Sequence, residues 1–232
     1  MKTCRLSLVL SLFVGMAMVS LAEESKPVPE GFVSLFDGKT LAHWDGDPKF
    51  WSVEDGCLTG RSTPENPVVY NTFLIWDGEV ANFELQVDFR LTGGNSGIQY
   101  RAFPGKSGKP WSLGGYQGDI AGMPYMGIVY GEQYLGIMAQ RGTKVVFNTD
   151  GSKDVETFAD AAELAKSIDF NGWNTYRIVA DGNHLTHYIN GVKMSEIIDN
   201  TPTTLKEGKI GFQMHVGNPM TVKFKNVFLK KK

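Results

Sequence analysis

The chain has 232 residues and a formal net charge of −2, and its only run of consecutive basic residues is 230–232. This length suits one β-rich domain, which commonly runs to about 200–250 residues. Because the chain has no basic stripe, electrostatics give no support to nucleic-acid binding, and we expect no nucleic-acid partner.

The N-terminal segment has the pattern of a secretory signal. Lys2 and Arg5 precede an apolar run over residues 6–21, and Ala22 ends a cleavage site of small residues. We therefore predict a signal peptide over residues 1–22, cleavage after Ala22, export to the periplasm or the medium, and no stable membrane insertion after processing. Cleavage would leave Cys57 as the single cysteine, so that stability must come from the core rather than from a disulfide.

After a predicted flexible leader over residues 23–30, short strands and turns fill one predicted domain over residues 31–230. Alternation is clearest over residues 82–91, and Asn190-Gly191 is a strong two-residue hairpin signal. Helical spacing occurs only over residues 158–168. The pattern predicts an all-β fold, a two-sheet antiparallel β-sandwich of jelly-roll type with at most one short helix. The predicted strands include residues 32–36, 50–53, 57–59, 82–91, 97–103, 173–180, 185–189, 192–198, 209–216 and 221–229.

Three segments, residues 95–101, 115–120 and 210–215, alternate apolar side chains with polar ones of the kind that bind sugars. Because strand side chains alternate between faces, each segment should present a polar pair on one face. The predicted pairs are Gln99 with Arg101, Gln117 with Asp119, and Gln213 with His215. An ordinary solvated face is the alternative, but such faces usually carry Lys, Glu and Thr, which these segments lack.

Asp119 is the best candidate for a general base or a ligand, with a turn-capping carboxylate as the alternative. His215 could be the complementary acid or base, because imidazole titrates near neutral pH. Arg101 could clamp a carbonyl or a sugar hydroxyl, or could form a plain ion pair with Asp88 or Glu84.

Further candidates carry open alternatives. Tyr116 and Tyr130 belong to an aromatic-rich stretch that either stacks on sugars or fills the core. Glu132 is either catalytic or solvated, and His187 is either a packed histidine or one at the edge of a cleft. The chain lacks the paired-acid strand of laminarinase-type glucanases, which argues against the ordinary two-carboxylate mechanism.

An ordered set of motifs resembles the 3-keto-disaccharide hydrolase family over residues 31–230. The matching segments are residues 32–41, 51–58, 93–101, 115–120, 173–180, 184–191, 211–215 and 224–229. The resemblance implies a concanavalin A-like lectin/glucanase sandwich and the cleavage of glycosides oxidised at C3, through proton removal at C2, β-elimination and hydration. Residues 212–215 lack the acidic residue that many relatives carry before the histidine. The case for Gln213 and His215 as a functional pair is therefore weaker than the case for Gln117 and Asp119.

We therefore predict an exported carbohydrate-cleaving enzyme, with a carbohydrate as its partner and Asp119, His215 and Arg101 as catalytic residues. A divalent cation is compatible with the chemistry, although the sequence shows no recognisable metal site. A non-catalytic, lectin-like carbohydrate-binding module is the alternative, and convergence of Asp119, Arg101 and His215 should discriminate the two. The predicted substrate-binding residues are Asn95, Gln99, Tyr116, Gln117, Tyr130, Glu132, His187 and Gln213.

Overall fold

In the computed structural model, which describes residues 26–232, the alternating segments form strands joined mainly by turns. The strands are β1 (Val33–Ser34), β2 (Trp44–Asp45), β3 (Trp51–Glu54), β4 (Cys57–Arg61), β5 (Thr72–Trp76), β6 (Phe83–Thr92), β7 (Ser96–Pro104), β8 (Leu113–Ile120), β9 (Val129–Glu132), β10 (Gly136–Ala139), β11 (Thr143–Phe147), β12 (Lys153–Thr157), β13 (Asn174–Asp181), β14 (His184–Ile189), β15 (Val192–Asp199), β16 (Lys209–Met214) and β17 (Thr221–Lys231). The helix α1 spans Ala161–Ala165.

The strands form two sheets that pack as a sandwich. The ten-stranded sheet has the order β12-β11-β15-β14-β13-β6-β17-β4-β3, with β1 added beside β17, and the seven-stranded sheet has the order β10-β9-β8-β7-β16-β5-β2. Neighbouring strands are antiparallel except for the parallel pair β11 and β15. The predicted all-β sandwich is confirmed, and this parallel pair is its one departure from a purely antiparallel arrangement.

The core lies between the sheets and follows from period-two alternation. On β6, Phe83, Leu85, Val87 and Phe89 are fully buried, as the sequence predicts. Burying one such side chain stabilises the fold by about 2 kcal/mol. Aromatic rings cross the core in a stack, with Phe212 4.1 Å from Phe224 and 5.0 Å from Trp44 between ring centroids.

Local sequence signals fix the turns and the helix. Asn190 and Gly191 have φ values of 51° and 80°, the left-handed conformation that a tight hairpin requires. The predicted helix exists but is shorter than residues 158–168. It begins after Asp160, whose carboxylate accepts hydrogen bonds from the backbone N–H groups of Ala162 and Glu163.

The described chain begins at a residue that is bound to the ten-stranded sheet. The Lys26 ammonium lies 2.8 Å from a carboxylate oxygen of buried Asp88, and the Lys26 backbone N–H donates to the Asn226 side chain. The predicted signal peptide and residues 23–25 of the predicted leader lie outside the described residues. Among residues 26–232, no helix is long and apolar enough to cross a membrane.

Candidate functional site

The outer face of the seven-stranded sheet carries the polar residues. Gln117 on β8 lies directly opposite Gln99 on β7 and Tyr130 on β9, and Asp119 lies opposite Gly97. Directly opposite residues share a face of the sheet. The intervening Tyr116 and the apolar residues beside it face the core, so the alternation predicted for residues 115–120 holds.

Gln117, Asp119 and Tyr130 border a cleft of about 330 Å³, which we call the Asp119 cleft. Its lining is Asn71, Asn95, Gln117, Asp119, Tyr125, Ile128, Tyr130, Glu132, Ile137 and His215. A second cavity of about 340 Å³, here called the annex, is lined by Gly94, Asn95, His215, Val216, Gly217 and Asn218. Asn95 and His215 line both cavities, so the two adjoin there.

A chain of hydrogen bonds connects the two carboxylates of the Asp119 cleft. Gln117 Nε2 donates to Asp119 Oδ1 at 2.6 Å and lies 3.5 Å from Gln213 Oε1. Gln213 Nε2 donates in turn to Glu132 Oε2 at 3.4 Å. Gln213 itself is fully buried, so it supports the floor rather than lining the cleft.

Asn71 closes this chain at the other oxygen of Glu132. Its Nδ2 donates to Glu132 Oε1 at 3.3 Å, and its Oδ1 accepts the backbone N–H of Val216 at 3.0 Å. Because a backbone N–H can only donate, the Asn71 amide must turn its nitrogen to Glu132. Gln117 Oε1 and Asn95 Oδ1 are buried and have no hydrogen-bond partner among the described residues. The site therefore contains two buried acceptors whose hydrogen-bonding capacity is unused.

Among the residues that line the cleft, Asp119 has the pKa that departs most from its ordinary value. Burial raises the pKa of its carboxyl from 3.8 to about 7, and the negative charge of Glu132 acts in the same direction. The hydrogen bond from Gln117 opposes this rise by favouring the charged form. A carboxyl that titrates near neutral pH is suited to general acid–base chemistry.

His215 presents one ring nitrogen to a ligand. Its Nδ1 lies 2.5 Å from the carbonyl oxygen of Val216. Since a carbonyl only accepts, Nδ1 carries a proton, and Nε2 is an acceptor in the neutral ring and a donor in the charged one.

Arg101 does not share a face with Gln99, and this prediction is wrong. A bulge interrupts β7 between Tyr100 and Phe103, and Arg101 adopts a φ of 46°. The bulge sends its guanidinium away from the Asp119 cleft. It donates to the carbonyls of Ala81, Gly182 and Leu205 and to the side chain of Asn82, at 2.7–3.2 Å. The alternative for Arg101, an ion pair with Asp88 or Glu84, is also wrong, because Lys26 and Arg177 bind those carboxylates.

Arg101 therefore has a structural position, which predicts the result of its substitution. With only 1% of its surface exposed, its guanidinium satisfies three backbone carbonyls. Arg101→Met should lower the free energy of unfolding by about 3 kcal/mol, because buried acceptors lose their partners. Chemical denaturation measures this. Arg61→Met, at a half-exposed ion pair with Glu54, should cost less than about 1 kcal/mol, and an equal loss in both variants would contradict the interpretation.

Three more predicted residues lie outside the Asp119 cleft. Tyr116 is buried in the core and donates to Asp199 at 2.5 Å. His187 is buried between the hydroxyls of Tyr100 and Tyr176, at 2.9 and 3.1 Å, and burial lowers its pKa to about 3. For Tyr116 and His187 the structure thus agrees with the alternative interpretation, a residue packed in the core. Gln99 is fully buried on the sheet face, and neither polar atom of its side chain has a partner among the described residues.

The Asp119 cleft thus brings together six predicted residues: Asn95, Gln117, Asp119, Tyr130, Glu132 and His215. Sequence reasoning missed Asn71, Ile128 and Ile137 and did not include Tyr125 among the site residues. Asn71 immediately precedes β5, whose pairing with β16 places it beside His215. No alternation marks such a strand-end residue. Across residues 26–232, no group of three or more His, Cys, Asp or Glu side chains could hold a metal ion.

The fold and the site define a two-sheet β-sandwich protein with a polar, carboxyl-bearing cleft on the outer face of one sheet. The chain belongs to the family described as the 3-keto-alpha-glucoside-1,2-lyase-like domain, whose profile matches residues 31–230. The resemblance predicted from the motifs is confirmed. The chain is also 37% identical over 81 residues to a 3-keto-disaccharide hydrolase of Bacteroides thetaiotaomicron. That match covers 32% of this chain and 28% of the relative.

Solved structures agree on the fold. A proposed glycosyl hydrolase from Parabacteroides distasonis is similar with a TM-score of 0.56 and 23% identity, over 87% of this chain and 99% of that one. The carbohydrate-binding module CBM66 from Bacillus subtilis is similar with a TM-score of 0.52 and 16% identity, over 82% of this chain and 96% of that one. Since enzymes and binding modules share this sandwich, the site must decide the function.

Proposed function

We propose that this chain, exported after cleavage at Ala22, cleaves 3-keto-glucosides at C1 by elimination. The observation that carries the proposal is the buried Asp119 carboxyl, which titrates at about 7 on the floor of a polar cleft. Membership of a family described as 3-keto-glucoside lyase-like and the similarity to a 3-keto-disaccharide hydrolase support it.

The first step is proton removal at C2. A ketone at C3 acidifies the hydrogen on C2, and ionised Asp119 takes that proton while the C2–H electrons form an enolate with its negative charge on the C3 oxygen. Asn95 and Tyr130 are the donors that we assign to this oxygen. Burial, followed by the charges of Glu132 and Asp119, raises the pKa of Tyr130. Its hydroxyl therefore stays protonated and can donate a hydrogen bond to this oxygen.

The second step breaks the bond between C1 and the leaving oxygen. The enolate electrons form the C1=C2 double bond, the C1–O bond breaks, and His215 Nε2 protonates the leaving oxygen. Water then adds across C1=C2, with hydroxide at C1 and a proton at C2, and releases 3-keto-glucose. Glu132 acts at a distance, because its charge keeps Asp119 basic.

A second candidate function is ordinary two-carboxylate hydrolysis, because the fold places Glu132 in the same cleft as Asp119. The two reactions differ in one atom. Elimination followed by hydration takes a solvent proton at C2, whereas direct hydrolysis leaves C2 untouched.

The test is cleavage in heavy water. The chain is expressed with its native N-terminus in an exporting host and offered 3-keto-trehalose, a 3-keto-glucoside and their unoxidised parents, with and without EDTA. We expect cleavage of the keto compounds alone, with deuterium at C2 of the released 3-keto-glucose. Free 3-keto-glucose in enzyme-free buffer corrects for spontaneous exchange.

Three other results would contradict the proposal. Cleavage of the parents without C2 label would indicate two-carboxylate hydrolysis, and binding without turnover would indicate a lectin-like module. A mature N-terminus other than Glu23 would refute cleavage after Ala22. Loss of cleavage with EDTA would place a divalent cation in the reaction and would leave the elimination itself standing.

A further inference from the structure

Exposed apolar side chains concentrate beside the Asp119 cleft. Of the nine large hydrophobic residues exposed in the described chain, four lie in two short segments, residues 123–125 and 135–137. We call these four the apolar wall: Met123, Tyr125, Leu135 and Ile137. Tyr125 and Ile137, which are 46% and 43% exposed, line the cleft directly. Apolar surface beside a polar cleft is typical of a ligand-binding site.

The apolar wall is held in place by the fold. Ile137 on β10 lies directly opposite Tyr130 on β9, which places both side chains on the face that carries the cleft. Tyr125 donates its backbone N–H to Gly122 and accepts that of Ile128. Met123 Sδ accepts a hydrogen bond from Arg141 at 3.2 Å. The fold thus fixes the backbone at Tyr125 and Ile137 and holds the Met123 side chain before a ligand arrives, which lowers the entropic cost of binding.

The opposite end of the site is mainly polar. The annex offers the backbone of Gly94 and Gly217 and the amides of Asn95 and Asn218, with Val216 as its one exposed apolar side chain, and no lysine or arginine lines either cavity. Between the two ends, Gln117 is 2% exposed and holds an acceptor oxygen with no partner. The site thus changes from hydroxyl-binding at the annex to apolar at the wall, with Asp119 and His215 between them.

We propose that the apolar wall binds the leaving group, and that the chain prefers 3-keto-glucosides whose C1 substituent is an apolar alcohol rather than a second sugar. The keto sugar then lies over Gln117 toward the annex, and an aromatic or aliphatic ring packs against Tyr125 and Ile137. A second sugar would place its hydroxyls against apolar atoms and lose their hydration. This assignment rests on the proposed function.

The experiment compares 3-keto benzyl glucoside with 3-keto methyl glucoside, in both anomers. Benzyl alcohol and methanol have similar acidity, so the leaving groups differ mainly in apolar area. We expect kcat/KM to be about tenfold higher for the benzyl compound, the effect of partly burying one ring. Tyr125→Ala and Ile137→Ala should lower this ratio toward one, whereas general damage would reduce both substrates equally. Val155→Ala truncates an exposed residue of β12 and should keep the wild-type ratio.

A benzyl-to-methyl ratio near one in the wild type would overturn the assignment, as would tighter binding of 3-keto-trehalose than of the benzyl compound to Asp119→Asn. Failure to turn over any of the three compounds would overturn the proposed function instead. In that case, calorimetry with Asp119→Asn still tests whether the apolar wall binds the leaving group. Benzyl 3-keto-glucoside binding about tenfold more tightly than the methyl compound would support it, and equal affinity would refute it.

Discussion

Asp119→Asn should reduce turnover of 3-keto-glucosides by about 10³-fold, the usual contribution of a positioned general base. Asparagine keeps the oxygen that accepts from Gln117 Nε2, so the hydrogen-bond chain to Gln213 and Glu132 can persist. The amide cannot take a proton from C2. Single-turnover kinetics measure the loss, and equilibrium binding should show an affinity for substrate close to that of the wild type.

Asp154→Asn is the matched control, because Asp154 is an exposed aspartate on β12 and makes one side-chain hydrogen bond with Asn148. It should leave turnover unchanged. Retention of more than about a tenth of wild-type turnover in Asp119→Asn would remove Asp119 from the role of base, since losing a base costs about 10²–10⁴-fold.

The pH profile gives an independent check on the same residue. Because the base must be ionised and the acid His215 must be protonated, the kcat/KM profile should be bell-shaped, and its ascending limb should have a midpoint at about 7, where Asp119 titrates. Glu132→Gln removes the negative charge that helps to raise the pKa of Asp119, so the midpoint should move to lower pH. A midpoint that stays in place would show that Glu132 has no influence on the base.

Much of the fold and part of the site follow from the sequence, because alternation has a simple physical cause. Where β8 runs without interruption, period two correctly places Gln117 and Asp119 on one face and Tyr116 on the other. The Asn190-Gly191 hairpin follows from residues that accept a positive φ. Signals of this kind depend on one strand or one turn, and a single sequence contains them.

The rest depends on tertiary contacts that no local pattern contains. The bulge in β7 turns Arg101 away from the Asp119 cleft, where its guanidinium donates hydrogen bonds to three carbonyls from other segments of the chain. Asn71 joins the site through its bond to the Val216 backbone, 145 residues along the chain. The pKa of Asp119 depends on how deeply the fold buries it, which its strand alone does not reveal.

The stability of the protein should show two opposed pH dependences. Between pH 3.8 and about 7, the folded state binds one more proton at Asp119 than the unfolded chain does, so this group stabilises the fold less as pH rises. Between about 3 and 6.5, the unfolded chain binds one more proton at His187, so this group stabilises the fold more as pH rises. From about pH 4 to 6.5 the two contributions largely cancel in the wild type.

Asp119→Asn removes one of the two contributions and should expose the other. Near pH 4 its free energy of unfolding should equal that of the wild type. At pH 8 the variant should be the more stable protein by at most about 4 kcal/mol, since each pKa unit is worth about 1.4 kcal/mol. Its stability should also fall on acidification below pH 6.5, because the contribution of His187 is then no longer opposed by that of Asp119. Urea denaturation at several pH values measures both, and a difference between the two proteins that does not change with pH would contradict the burial of Asp119. If the expected difference is found, the variant without the base is the more stable protein above pH 7. The buried, ionised carboxylate of Asp119 then serves the reaction at a cost in stability.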